Sequence, residues 1–365
     1  MKNDRTNEAY LLSLLRAALN GETPEEAPEG VDLETVFRLA EFHDVANTAF
    51  YAVERLKKPP EAGLMKRWSE VRDRAIVKDL IQREEFSAIG EAFAAAGIRY
   101  VPLKGLLLKQ EYPQSDLRLM TDLDILIDEE KRKVAGEIML SLGYRREDSD
   151  NVEDTYYKDP VMNVELHYSL MLSGFSEEYQ RLFDAPWGYT VEGAGAEKRF
   201  RDDYFFAYIL AHAMKHYENS GTGIRSFMDF YIYEKRKPEI AAKALELFRE
   251  PRIRGLAEDC MRLSRLWFAG AEDDGSLAEM EKFVLSSGTY GSYMNGTEYR
   301  IKHGGKAAYL RYLIFPPLEM MKNYFPVLNK APVLLPFCWV ARICTRPFRF
   351  PKENLEKLKT FLKAK

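Results

Sequence analysis

Two aspartates one residue apart, in Thr121-Asp122-Leu123-Asp124-Ile125-Leu126-Ile127, are the side chains best placed to do chemistry in this 365-residue chain. The run reads as a strand, and period-two alternation sends Asp122 and Asp124 to one face and Leu123 and Ile125 to the other. Neighbouring carboxylates on one face repel, which costs stability unless a cation lies between them. Oxygen ligands at this spacing suit Mg²⁺ or Mn²⁺, which take one or two protein carboxylates and fill their remaining positions with water and phosphate oxygens. Taken alone, the pair fits a solvated strand end equally well. Its surroundings weigh for the metal.

Upstream, Pro102-Leu103-Lys104-Gly105 falls at a strand-to-helix junction, where free backbone N–H groups favour a phosphate, Gly105 permits close approach and Lys104 offers a countercharge. Downstream, Asn163-Val164-Glu165-Leu166-His167 alternates so that Asn163, Glu165 and His167 share a face, and Glu165 can complete a three-carboxylate site. Arg118 fits a bidentate phosphate clamp or a pair with Asp116, and the clamp is the preferred reading. His167 fits a contact to metal, nucleotide or acceptor, although a lone histidine beside a sheet is more often structural. His212 and His216 are an i, i+4 pair without the H-E-x-x-H pattern of a zinc site, so a polar helix face lining the cleft is favoured. Lys215 and Arg225 bring positive charge to the same region, with Asp229 placed to orient Arg225. Tyr204, Phe205, Phe206 and Tyr208 read as core packing.

The elements that must position these residues follow from periodicity and breakers. Helical stretches at 7–20, 31–57 and 62–96 precede Gly97, a helix stop, and a buried strand over 98–103. A short helix at 106–112 and a polar loop lead to the strand 120–127, and Asp128 is an N-cap candidate for a helix over 129–142. After Gly143 an extended segment begins at Tyr144, and strands 155–158 and 162–168 flank Asp159-Pro160 as a hairpin. Helices are expected at 204–218, 226–236, 238–249, 253–268 and 277–286, with a loop between 287 and 307. The fold class is therefore α+β, a small mixed sheet flanked by helices, with helical N-terminal and C-terminal regions. The boundaries expected are 1–84 for the N-terminal helices, 85–200 for the core and 201–365 for the C-terminal helical region with its basic, apolar tail.

Hydrophobic residues make up 46% and charged residues 30% of the chain, enough for a large core without disulfide or metal staples. Cys260, Cys338 and Cys344 lack zinc or redox spacing and read as buried thiols of a reducing compartment. The opening MKNDRTNEAY has no basic start followed by an apolar run, so a cytoplasmic protein is expected. Residues 301–365 hold 13 Lys/Arg against 3 Asp/Glu, so this segment is +10 while the rest of a chain of net charge −4 is −14. That asymmetry leaves three anionic partners open for the tail: membrane, nucleic acid or the acidic remainder of the protein. Prolines break its hydrophobic runs well short of the ~20 residues that cross a bilayer. Packing against the N-terminal helices is preferred over a membrane interface.

Leu103-Lys104-Gly105, Arg118 with Thr121 to Ile127, Gly143-Tyr144 and Glu165-Leu166-His167 together resemble the nucleotidyltransferase superfamily that includes DNA polymerase beta and the aminoglycoside nucleotidyltransferases. Within it the chain is most similar to a bacterial family of uncharacterised nucleotidyltransferases often associated with polysaccharide and capsule gene clusters. His212, His216, Gly223-Ile224-Arg225 and Asp229 also look family-like, so the resemblance covers roughly residues 85–235. It implies two-metal nucleotidyl transfer, with Asp122 and Asp124 ligating both ions and Glu165 ligating one and helping to deprotonate an acceptor hydroxyl. The Gly-Ser or Gly-Gly pair that grips phosphates in the superfamily is here Gly105-Leu106, at a longer interval from Asp122. Lys104 and Arg118 are the natural substitutes, and His167, Lys215 and Arg225 complete the expected nucleotide contacts.

The expected activity moves a nucleoside monophosphate from a nucleoside triphosphate to a hydroxyl of a small molecule, sugar, lipid carrier or protein, with Mg²⁺ or Mn²⁺ as cofactor; polysaccharide biosynthesis is one setting. A catalytically inactive binding module with the same fold is the alternative. A nucleic-acid enzyme fits less well, because the chain is acidic overall, with pI ≈ 5.9, and shows no recognition module.

Overall fold

The computed structural model describes residues 2–149, 152–170, 177–289, 291, 301, 305–307, 309–311 and 313–349. Most of the loop expected between 287 and 307, and the tail from 350 onward, lie outside the described residues.

Helices α1 (Lys2–Asn20), α2 (Leu33–Phe42), α3 (Ala46–Val53) and α4 (Ala62–Ala95) come first. The single stretch expected over 31–57 is broken between α2 and α3, where Asp44 turns the chain at φ +52°. Asp32 caps α2, its carboxylate accepting the N–H groups of Glu34 and Thr35. With 34 residues, α4 is about 51 Å long at 1.5 Å per residue and links two cores. Near its start Trp68 packs edge-on against Phe37 at 4.8 Å, and near its end Ile89 and Phe93 pack under the sheet. Gly97, at φ +66°, stops it in a left-handed turn, with Ile98 N–H donating back to Phe93 O at 2.9 Å and both side chains buried.

The sheet contains β1 (Tyr100–Pro102), β2 (Leu123–Ile127), β3 (Arg145–Ser149), β4 (Glu153–Lys158) and β5 (Met162–His167), in the spatial order β1-β2-β5-β4-β3. β2 and β5 are parallel and the other neighbours antiparallel, so the fold is α+β with a mixed sheet. Between β1 and β2 lie α5 (Gly105–Leu108) and a 3-10 turn at Lys109–Glu111; α6 (Arg132–Ser141) connects β2 to β3. Asp128 does not cap the helix that follows. Its carboxylate instead takes a two-pronged contact from Arg99, at 2.7 and 2.8 Å. Leu123, Ile125, Val164 and Leu166 face a core shared with α4 and α6.

After α7 (Glu177–Phe183) and the hairpin β6 (Thr190–Glu192) to β7 (Lys198–Phe200), neither expected from periodicity, helices resume. They are α8 (Asp202–Asn219), α9 (Ile224–Arg236), α10 (Pro238–Glu246), α11 (Pro251–Phe268) and α12 (Ala278–Ser287). Tyr204, Phe205, Phe206 and Tyr208 of α8 are buried, in one core with Leu11, Phe37 and Phe50 of the N-terminal helices. The C-terminal elements α13 (Leu318–Tyr324) and α14 (Leu335–Arg349) gather around Met321, Leu328 and Cys338 in a small core of their own. Among the described residues this core is separate from that of the N-terminal helices, against which the segment was expected to pack, and Cys344 is exposed where three buried thiols were expected. No helix among the described residues is long and apolar enough to cross a membrane.

Candidate active site

The parallel register of β2 and β5 sets Asp124 directly opposite Glu165 and Leu126 opposite His167. Side chains at opposed positions of adjacent strands share a face, so two carboxylates and an imidazole converge from segments some 40 residues apart. One ligand atom from each of Asp124, Glu165 and His167 lies within 4.8 Å of the others. Asp122 falls one residue before β2 and lines the same cleft without joining that trio.

Asp124 is 5% exposed, and its Oδ1 receives both Lys104 Nζ at 3.0 Å and His167 Nε2 at 2.8 Å. Burial works against ionising this carboxyl, but Lys104 and His167 outweigh it and hold the group well below the usual carboxylate range. Burial likewise opposes the Lys104 ammonium, which Asp124, Tyr208 and Asp122 nonetheless keep charged to above its ordinary value. Asp122 has no such hydrogen-bonded partner among the described residues, only the more distant charges of Lys104 and Arg225. Burial first, then the charges of Asp124 and Glu165, push it up to about 6. A carboxyl raised by its anionic neighbours is a group that a cation would relieve.

His167 bridges the carboxylates: Nδ1 lies 3.1 Å from Glu153 and Nε2 lies 2.8 Å from Asp124 and 3.5 Å from Glu165. Burial lowers its affinity for a proton, but hydrogen bonds to Asp124, Glu153 and Glu165 prevail and raise the ring to about 10. The donor set fits a divalent cation that takes the place of the Nε2 proton, since only the neutral ring ligates a metal. Glu153 takes the Nδ1 side and so points Nε2 at Asp124 and Glu165, which is how a carboxylate presents a metal-ligating imidazole. Glu153 sits opposite His167 in the β4–β5 hairpin, where Lys158 faces Met162. That register was implied by the turn at Asp159-Pro160, although Glu153 itself was not among the expected site residues.

Lys104 adopts φ +42°, ψ −109°, a conformation disfavoured for a residue with a Cβ and one that concentrates at functional sites. It turns the chain from β1 into α5 and delivers the ammonium to Asp124. Gly105 follows, and a Cβ there would lie 2.5 Å from Met120 Sδ and 2.7 Å from an Arg118 guanidinium nitrogen, so a larger residue would displace those side chains.

Arg118 lines the cleft, but its guanidinium is engaged, with Nε and Nη2 donating to the two oxygens of Asp229 at 2.7 and 2.8 Å. Neither the free phosphate clamp nor the pair with Asp116 describes it; Asp116 instead accepts from Tyr51 Oη. Asp229 is thereby committed to Arg118 and Tyr112, and Arg225 is placed by Leu119 O at 3.1 Å. The loop entering β2 is pinned by its carbonyls throughout: Asn47 and Thr48 of α3 hold Leu117, Gln82 of α4 holds Met120 at 3.0 Å, and Lys78 holds Thr121 at 3.1 Å. These tethers come from helices that sequence patterns showed only as helical stretches.

The opposite wall is built by α8 and α9. His212 and His216 bring their Nε2 atoms to 3.3 Å, one donating to the other, and burial holds both rings neutral, His216 down to about 3. Lys215 is lowered to about 8, by burial and by the charge of Lys104, against the pull of Glu153, Asp124 and Glu165. Carboxylates on the sheet, with Lys104 beside Asp124, thus share with Lys215 and Arg225 of α8 and α9 a cleft of about 350 Å³. Such a space accepts a polyanion whose charge is balanced by a cation on one side and by ammonium and guanidinium groups on the other.

No curated protein and no solved structure matches the chain. The family model described as an uncharacterised nucleotidyltransferase matches residues 29–269, a span that takes in α2 to α11 with the whole sheet and every residue lining the cleft except Thr289, and the chain belongs to that family.

Proposed function

We propose that the protein is a divalent-metal-dependent nucleotidyltransferase that uses the β2–β5 carboxylates to transfer a nucleoside monophosphate from a nucleoside triphosphate to a hydroxyl acceptor. The observation that carries the reading is the register of Asp124 against Glu165, with His167 beside them, in a cleft whose far wall is basic. Asp122, Asp124 and Glu165, with Nε2 of His167, would hold Mg²⁺ or Mn²⁺. When bound, the ion supplies charge neutralisation to the triphosphate and the departing pyrophosphate.

The chain's own residues account for the rest. Lys104, Lys215 and Arg225 line the cleft and would offer phosphate oxygens positive charge in place of the Gly-Ser pair that Gly105-Leu106 replaces. The acceptor oxygen forms its bond to the α-phosphorus as the α–β bridging bond breaks, and the acceptor proton passes to a carboxylate of the Asp122–Glu165 face. Tyr208, Ile209 and Leu170 give the cleft an apolar side against which a base or sugar ring can lie. The acceptor class is a small molecule, a sugar such as a polysaccharide precursor, or a protein side chain.

The test is pyrophosphate release across a panel of nucleoside triphosphates and hydroxyl acceptors with Mg²⁺ or Mn²⁺. Turnover should fall by at least about a hundredfold in Asp124→Asn and in Glu165→Gln. Unchanged turnover in both would refute the reading. The engagement of Arg118 by Asp229 favours a second one, a nucleotide-binding module without turnover. It predicts metal-dependent triphosphate binding with no pyrophosphate released by the wild-type chain.

A further inference from the structure

The C-terminal segment turns an apolar face away from its own small core. α14 is fastened on one side, where Trp339 Nε1 donates to Pro316 O at 2.8 Å, Arg342 Nη1 donates to Leu313 O at 2.9 Å, and Cys338 is buried beside Met321 and Leu328. Helical spacing puts Phe337, Val340 and Cys344 together on the other side, with Val333 just ahead of the helix. Val333 is 79%, Phe337 73% and Val340 62% exposed, and Cys344 is exposed as well. Isolated apolar residues on a surface need no explanation, but a continuous stripe of large ones marks a binding face.

Charge decides what covers it. Residues 301–365 carry 13 Lys/Arg against 3 Asp/Glu, whereas the rest of the chain is −14. Lys330, ahead of the stripe, is exposed, and Arg346 and Arg349 continue the helix beyond it. An apolar stripe on a helix set in a basic segment matches a bilayer surface of anionic lipid, where apolar side chains enter the acyl boundary and Lys/Arg meet headgroup phosphates. A protein–protein interface core is, by contrast, depleted in lysine. We propose that α14 docks the protein on an anionic lipid surface, inserting Val333, Phe337, Val340 and Cys344 while the surrounding basic residues meet the headgroups. This surface is separate from the cleft, and the proposal stands whether or not the chain transfers nucleotides.

The experiment is co-sedimentation of the full chain with vesicles of phosphatidylcholine, with and without phosphatidylglycerol. Wild-type protein should partition onto the phosphatidylglycerol vesicles, less so as salt is raised. Phe337→Glu with Val340→Glu should weaken partitioning by roughly tenfold or more, with the circular dichroism spectrum unchanged because both side chains point outward. A fluorophore on the exposed Cys344 should shift to the blue on adding anionic vesicles. Wild-type protein that stays in the supernatant with anionic vesicles would overturn the proposal, as would a double variant that binds like wild type. A wild-type dimer in light scattering that the double variant converts to monomer would also overturn it, by assigning the face to a second copy.

Discussion

Asp229→Ala removes the acceptor of three hydrogen bonds, those from Arg118 Nε at 2.7 Å, Arg118 Nη2 at 2.8 Å and Tyr112 Oη at 2.7 Å. The guanidinium left behind has a side chain only 9% exposed, so its charge stays uncompensated. Breaking a buried pair in this way costs about 3–5 kcal/mol. With a urea m-value of roughly 3 kcal/mol/M, that lowers the unfolding midpoint by at least about 1 M. Arg118→Met should be comparably destabilising, since it strands the Asp229 carboxylate. Arg118→Met combined with Asp229→Leu should recover much of the loss, because well-packed apolar replacements of a buried ion pair are often close to neutral. Tryptophan fluorescence during urea unfolding reads all three variants. An Asp229→Ala midpoint equal to that of wild type, together with Arg118→Met that keeps its stability and loses triphosphate binding, would refute the argument. Arg118 would then be a phosphate ligand and not a brace.

Gly105→Ala places a methyl group against the buried side chains of Met120 and Arg118, so these must shift; an overpacking penalty of about 1–3 kcal/mol in denaturant titrations is expected, with reduced turnover. Stability equal to that of wild type would show that Met120 and Arg118 give way freely. Glu153→Leu frees the Nδ1 side of His167 and should weaken Mn²⁺ binding by about 10–100-fold in isothermal titration, whereas unchanged affinity would remove His167 from the ligand set. His43 is buried with Nε2 against Leu285 O and its other ring nitrogen without a partner among the described residues, and burial lowers it to about 4. Because the folded value lies below the unfolded one, its contribution is complete above about pH 6.5 and is lost as pH falls towards 4. The total is about 3 kcal/mol. His43→Gln should flatten that part of the stability–pH curve, and identical curves for the two proteins would count against it.

The face shared by Asp122 and Asp124, the stop at Gly97, the hairpin about Asp159-Pro160 and the helical runs on either side were all legible in the chain. Each is local, set by alternation or by a residue's own backbone preferences. Glu165 was legible at one remove, through the alternation of its own strand, but that its strand lies parallel to β2 in the register Asp124 to Glu165 is a property of the sheet. The fate of Arg118 was not legible. Its partner lies 111 residues away, and local pattern offers no preference among distant carboxylates. Nor could periodicity say that α3 and α4 would spend Asn47, Gln82 and Lys78 on the carbonyls of the loop carrying Asp122, or that α14 would leave Phe337 in water. Short-range sterics and hydrophobic period determine which side chains share a face. Which faces then meet is decided only when long loops close, and those contacts tell a ligand from a brace.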